Sequence, residues 1–194
     1  MKKIKILALI GKSGAGKDYW LRYICDNYEE VHEIISCTTR PARLKEIPDI
    51  NYHFLSNEQF SSQIFIESCI FRRWKYGTRL EDLDIDKLNV GVFNLSGIEQ
   101  LLKNPIIDLK VIQIVATDKV RLIRQLERDS SDIDEIFRRY YADEEDFSKE
   151  RLENIKRSVS YYWPLINNST NYFDDDNEFI KEELDEIIQE VISN

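Results

Sequence analysis

The sequence predicts an α/β domain with a mostly parallel core sheet. Three observations predict it. Strand-like and helix-like stretches alternate along the chain, the order that builds parallel sheets with helices packed on them. Val111, Ile112, Ile114 and Val115 make the run from Leu109 to Val115 nearly continuous in apolar residues, as a strand covered on both faces requires. A turn holding three of the chain's six glycines, Gly11 to Asp18, leads from one apolar run straight into a helical pattern.

Ile4, Ile6, Leu7, Ala8, Leu9 and Ile10 form the first strand, and Leu21, Ile24 and Cys25 mark the inner face of the helix after the turn. Val31 to Cys37 reads as a second strand. Asn51 to Leu55 and Ile64 to Phe71 are short β-rich segments with no long helix between them, so the stretch from about Val31 to Thr78 reads as an insertion on one side. Val90 to Leu95 is another strand, followed by a helix over Ser96 to Lys103. Asp118 to Arg128 is helical, with Val120, Ile123 and Leu126 on one side. Asp129 to Glu135 is acidic and reads as exposed and mobile. Helices are expected from about Asp146 to Tyr161, and again over Glu178 to Ile192, where Leu184, Ile187, Ile188 and Val191 share a core-facing side.

The 194 residues carry a net charge of −9, which argues against general affinity for nucleic-acid backbone or anionic membrane. An anionic ligand must therefore be met by locally placed arginines and lysines. Cys25, Cys37 and Cys69 are odd in number and lack CxxC spacing, so they fit a reducing cytoplasm and small core residues better than disulfides or a zinc site. Met1 to Lys5 resembles the start of a signal peptide. Its apolar stretch is short, is interrupted by Lys5 and runs into the glycine-rich turn, so export is not expected. No apolar stretch approaches membrane-spanning length.

The turn reads Gly11, Lys12, Ser13, Gly14, Ala15, Gly16, Lys17, Asp18. A strand, a turn poor in side chains and a helix start let backbone N–H groups converge on an anion, and the helix N-terminus adds partial positive charge. Lys17 is placed to reach the outer phosphates of a nucleotide. This is the phosphate-binding loop Gly-x4-Gly-Lys, with Asp18 where Ser or Thr is usual. The plain alternative is a tight turn without a ligand.

A second constellation follows in Ser36 to Glu46, where Arg40 and Arg43 stand three residues apart beside Pro41. Guanidinium groups grip phosphate in two-pronged fashion. Tyr52 and Tyr76 can each donate a phenolic hydrogen bond to the same anion. Singly, such residues are usually solvated surface or half-buried packing; in order, downstream of a phosphate loop, they form a pattern.

That order resembles the guanylate kinase family. The tracts are Ser36 to Glu46, Asp49 to Phe54, Phe65-Ile66-Glu67 and Tyr76-Gly77-Thr78, continuing more loosely through Asn94 to Gly97, Arg124 to Arg128, Arg138-Arg139 and Ile166-Asn167-Asn168. The resemblance implies a P-loop NTPase fold: a three-layer α/β/α core over 1–32, 80–126 and 151–194, a small β-rich monophosphate-binding insertion over 33–79, and a helical lid over 127–150. It implies phosphoryl transfer from ATP, with Mg²⁺, to GMP or dGMP, with Lys17, Arg40 and Arg138 in catalytic roles. Gly11, Ser13, Gly14, Ala15, Gly16, Lys17, Asp18, Arg128 and Asn168 would bind ATP. Ser36, Arg40, Arg43, Glu46, Tyr52, Glu67, Tyr76, Thr78 and Asn94 would bind the monophosphate. Glu67 suits guanine chemically, because a carboxylate accepts from both N1–H and the exocyclic amine, a donor pair that adenine lacks. The expected partners are these small nucleotides, with no nucleic acid or membrane, in a cytoplasmic monomer or homodimer.

Three departures stand out. Asp18 replaces the hydroxyl that ligates Mg²⁺ in the family, and a carboxylate also suits that ion. The family's Asp-x-Asp-x-x-Gly is here Val92-Phe93-Asn94-Leu95-Ser96-Gly97, with both carboxylates gone. The lid is acidic and slightly short, leaving Arg138, Arg128 and Arg139 as its candidate arginines. Two rival readings follow: a kinase of the same fold with another acceptor, such as a different deoxynucleotide or a phosphorylated sugar, and a phosphopeptide-binding module without chemistry.

Overall fold

Five parallel strands form the core sheet of the computed structural model, in which residues 2–42, 46–71, 73–128, 132–168 and 176–193 are described. In chain order the elements are β1 (Ile4–Ile10), α1 (Lys17–Asn27), β2 (Val31–Glu33), β3 (Cys37–Thr38), β4 (His53–Phe54), α2 (Asn57–Ser61), β5 (Phe65–Phe71), β6 (Trp74–Arg79), β7 (Leu88–Val92), α3 (Leu95–Leu101), β8 (Ile107–Val115), α4 (Asp118–Arg128), α5 (Ile133–Asp146), α6 (Lys149–Ser158), β9 (Tyr161–Ile166) and α7 (Asp176–Ser193). The core sheet runs β2-β7-β1-β8-β9, and a second sheet runs β4-β3-β6-β5.

The alternation of side chains along β1 builds the layers. Leu7 and Leu9 point to one face, where Trp20 and Ile24 of α1 and Leu184, Ile187, Ile188 and Val191 of α7 cover them. Ile6, Ala8 and Ile10 point to the other, against Ile98 and Leu101 of α3 and Ile155 of α6. All five β1 residues from Ile6 to Ile10 are fully buried, each large one contributing about 1.5–3 kcal/mol. The sheet is thus apolar on both sides, as the composition of β8 predicts.

Several expected elements differ. Val31 to Cys37 is two strands in two sheets: β2 pairs with β7, Ile34 still donates its N–H to Val90, and Cys37 then pairs with Gly77 in β6. The chain crosses from core to insertion between them. Asp132 to Glu135 belongs to a helix, because the Asp132 carboxylate accepts from the Glu135 N–H and caps α5; residues 129–131 lie outside the described residues. Tyr161, expected as the end of a helix, instead opens a strand over Tyr161–Ile166 beside β8. Pro164 argues against a central strand, but β9 is an edge strand, where a missing N–H costs nothing. Finally, α4 does not bury Leu126, which is 41% exposed; its inward face carries Val120, Arg121, Arg124 and Gln125.

Leu184→Ala removes a fully buried side chain from the α7 layer and is expected to cost about 2–5 kcal/mol in urea unfolding. Leu126→Ala on α4 is expected to stay within about 0.5 kcal/mol of the parent.

Candidate active site

The phosphate loop sits where β1 ends and α1 begins, beyond the carboxyl edge of the parallel sheet, the usual ligand side of such sheets. Its glycines are sterically required. Gly14 has φ 79°, and a Cβ there would lie 2.6 Å from the Arg121 carbonyl oxygen; Gly16 caps α1 with φ 101°. Lys17 Nζ folds back over the loop and donates to the carbonyls of Gly11 and Lys12 at 2.7 and 3.2 Å. Burial lowers its pKa, opposed by the carboxylates of Asp18 and Asp143.

The loop is held from behind. Arg121 Nε donates to the Ser13 carbonyl at 3.0 Å, and Arg124 Nη1 donates to those of Gly14 and Ala15 at 3.2 and 3.0 Å. Asn167, fully buried after β9, donates its amide to Ala15 O at 2.7 Å and accepts from Arg124 Nη2 at 3.1 Å. This explains why α4 buries its polar face: three consecutive carbonyls need donors on that side, which leaves the opposite side of the loop to N–H groups.

Across from the loop, Arg40 is locked by Glu46, whose two oxygens accept from Nη1 and Nη2 at 2.9 and 2.8 Å. This pairing raises the Arg40 pKa and fixes its charge. Its guanidinium lies 5.4 Å from the Tyr52 ring centroid, and the Tyr52 ring packs edge-on against that of Tyr76. Farther along the insertion, Glu67 is 7% exposed and accepts from the Thr78 hydroxyl at 2.8 Å. Burial pushes its carboxyl pKa up, partly offset by Thr78. Gly97 makes room for it, since a Cβ there would meet Glu67 Oε2 at 2.8 Å. Asn94 caps α3: its Oδ1 accepts from the Gly97 N–H at 2.7 Å, while its Nδ2 turns to Cys69 Sγ at 2.8 Å.

One cleft of about 300 Å³ joins the loop to part of the second group; Arg40, Glu46 and Thr78 do not line it. Gly11, Ser13, Lys17 and Asp18 form one wall; Ser36, Tyr52, Glu67, Tyr76 and Asn94 form the other; Asp143, Asp146 and Phe147 of α5 and its end close the top. A second hollow of about 500 Å³ shares Ser13, Lys17 and Asp18 with this cleft and extends to Arg124 and Arg128. Asn168 accepts from the Thr117 N–H at 2.8 Å through Oδ1, pinning the β8 and β9 ends together. Arg138 and Arg139 both pair with Glu135 on their own helix rather than with the loop. Arg43 lies outside the described residues. Sequence reasoning gave no site role to Arg121, Asn167, Gly97 or Asp143, although Asn167 and Gly97 lie in tracts that carry the family resemblance.

The sequence matches the family model described as "Guanylate kinase" over residues 3–190. A guanylate kinase of Sulfurimonas denitrificans is 38% identical over 39% of this chain and 39% of its own length. One of Campylobacter jejuni is 33% identical over 66% of each. The chain therefore spans between about two fifths and just under two thirds of the length of these curated relatives. Among solved structures, the crystal structure of guanylate kinase from Anaplasma phagocytophilum superimposes with a TM-score of 0.59 at 16% identity, covering 99% of this chain and 88% of that one, a likeness of fold.

Gly97→Ala is expected to keep the fold, because the clash falls on a side-chain oxygen. It should displace the Glu67 carboxylate from the Thr78 hydroxyl, which a crystal structure of the variant checks.

Proposed function

The chain belongs to the guanylate kinase family, and from that premise we propose that it transfers the γ-phosphoryl group of ATP to GMP or dGMP. The observation that carries this reading is the single cleft lined by both the phosphate loop and the wall that contains Glu67 and Tyr76. A phosphate oxygen of the acceptor attacks the γ-phosphorus. The new P–O bond forms as the bond to the β,γ-bridging oxygen breaks, and the electron pair leaves on ADP. No side chain acts as nucleophile; the protein positions two anions and offsets their charge.

In this reading the loop N–H groups and Lys17 hold the donor, Lys17 exchanging its two carbonyl partners for phosphate oxygens. Arg40, preset by Glu46, takes the acceptor phosphate together with Tyr52, Tyr76 and Arg43. Glu67 accepts from N1–H and the amine of guanine, with Thr78 holding the carboxylate in place and Ser36 and Asn94 flanking the base. The acceptor region is 33–79 and the lid 127–150. The lid supplies Arg128 and Arg138, the latter moving with α5 because its partner Glu135 lies on the same helix. The donor set suits Mg²⁺: the ion takes one or two carboxylates plus phosphate oxygens, and the exposed Asp18 offers a carboxylate on the cleft wall beside Lys17. When bound, it offsets phosphate charge. The free thiols of Cys25, Cys37 and Cys69 accord with a cytoplasmic setting, and among the described residues no helix is long and apolar enough to cross a membrane.

A second reading, another acceptor on the same fold, draws on Asn94. Its oxygen is committed to the Gly97 N–H, so it presents an amide donor where the family pattern has a carboxylate.

Lys17→Ala is expected to abolish transfer in a coupled assay while native circular dichroism is retained. Arg40→Ala is expected to raise the GMP dissociation constant about tenfold or more, leaving ATP affinity unchanged. A panel of monophosphates separates the two readings: GMP or dGMP leads under the first and trails under the second. Because Glu67 must be ionised to accept two hydrogen bonds, KM for GMP should rise as pH falls through its raised pKa, above the ordinary 4.5; Glu67→Gln should flatten that rise.

A further inference from the structure

The phosphate loop is already engaged by an anion of the protein's own. Asp143 of α5 reaches into it. Its Oδ2 accepts from the Ser13 backbone N–H at 2.7 Å and from Arg121 Nη2 at 2.6 Å, and its Oδ1 accepts from the Ser13 hydroxyl at 3.2 Å. The next residue, Glu144, pairs with Lys12 and lies 3.5 Å from Arg121 Nη1. A loop N–H, a hydroxyl and a guanidinium converging on the two oxygens of one anion is the donor set of a phosphate seat, and a carboxylate fills it here.

The helix that delivers this carboxylate is held mainly by polar contacts. Among the described residues of α5, only Ile136 is buried. Asp143, Glu144 and Tyr140 tie it to α4 and the loop, the Tyr140 hydroxyl donating to Asp118 and its ring lying 5.2 Å from the Arg121 guanidinium. Arg121 itself is 1% exposed and stays anchored to the Ser13 carbonyl, so its Nη2 remains aimed at the seat when α5 leaves.

We propose that Asp143 is a stand-in anion that occupies a nucleotide-phosphate seat in the empty protein, and that Arg121 is a further phosphate-contacting residue, exposed to the nucleotide when α5 withdraws. The inference rests on the phosphate-loop reading above. A carboxylate and a phosphate cannot share the Ser13 N–H, so nucleotide and α5 compete. The apparent affinity for polyphosphate is then reduced by the fraction of molecules whose seat is open. In return, the loop's positive polarity is not left unpaired between turnovers.

The test is a calorimetric titration of the full chain with inorganic tripolyphosphate and with ATP, comparing the parent with Asp143→Asn. The amide keeps the shape and removes the charge. The proposal expects tripolyphosphate to bind Asp143→Asn about tenfold more tightly, and Arg121→Gln to bind it more weakly than the parent. It also expects amide hydrogen exchange over 133–146 of the parent to speed up at saturating ATP. Equal or weaker binding by a natively folded Asp143→Asn overturns it, because a purely structural tether never gains affinity when cut. Should that variant not fold, unchanged exchange over 133–146 in the ATP-saturated parent overturns it instead. If neither protein binds tripolyphosphate or ATP, the loop reading itself fails and the stand-in with it.

Discussion

The constraint on which the structure turns is the orientation of a few peptide groups. A loop that receives phosphate must point its N–H groups one way, so its carbonyls must point the other, into the protein. Buried carbonyls without donors are costly. Arg121, Arg124 and Asn167 remove that cost by bonding the carbonyls of Ser13, Gly14 and Ala15 from behind. The parallel sheet brings these donors to one place: β1 delivers the loop, β8 leads into α4, and β9 ends just before Asn167.

On the proposed function, a chain of net charge −9 must concentrate its positive polarity to meet two phosphate-bearing ligands. It does so with paired cations. Glu46 fixes Arg40, Asp143 and Asp118 hold Arg121, and Lys17 rests on loop carbonyls. Each cation is preset in position, so little ordering remains when an anion arrives. Glu67 is the opposite case, a buried carboxylate whose shape and partner are set by Thr78 and by the missing side chain of Gly97.

Much of this was legible in the residues. The loop, β1, β8 and the core-facing side of α7 follow from local pattern alone, because apolar period and glycine spacing are decided by immediate neighbours. What was hidden depends on distant contacts. Nothing local shows that Arg121 and Arg124 turn inward, since an arginine on an amphipathic helix ordinarily faces water. Apolar spacing therefore favoured Leu126, and the needs of the loop carbonyls overrode it. Pro164 disguised β9, which tolerates it only as the sheet edge. Val31 to Cys37 is uniformly β-rich, and only pairing partners divide it between two sheets. Asp143 looked like one more charge on a solvated helix, because its partners lie 130 and 22 residues away along the chain.

On the proposed mechanism two anion seats share one cleft, close enough for donor and acceptor phosphates to meet. A bisubstrate ligand tests it most directly: adenosine and guanosine joined 5′ to 5′ by a pentaphosphate, titrated against ATP and GMP separately. If the seats face each other, the linked ligand should bind about 10²-fold or more tightly than either nucleotide, because the second contact becomes intramolecular. Affinity no greater than that of the tighter single nucleotide would mean that the seats do not face each other.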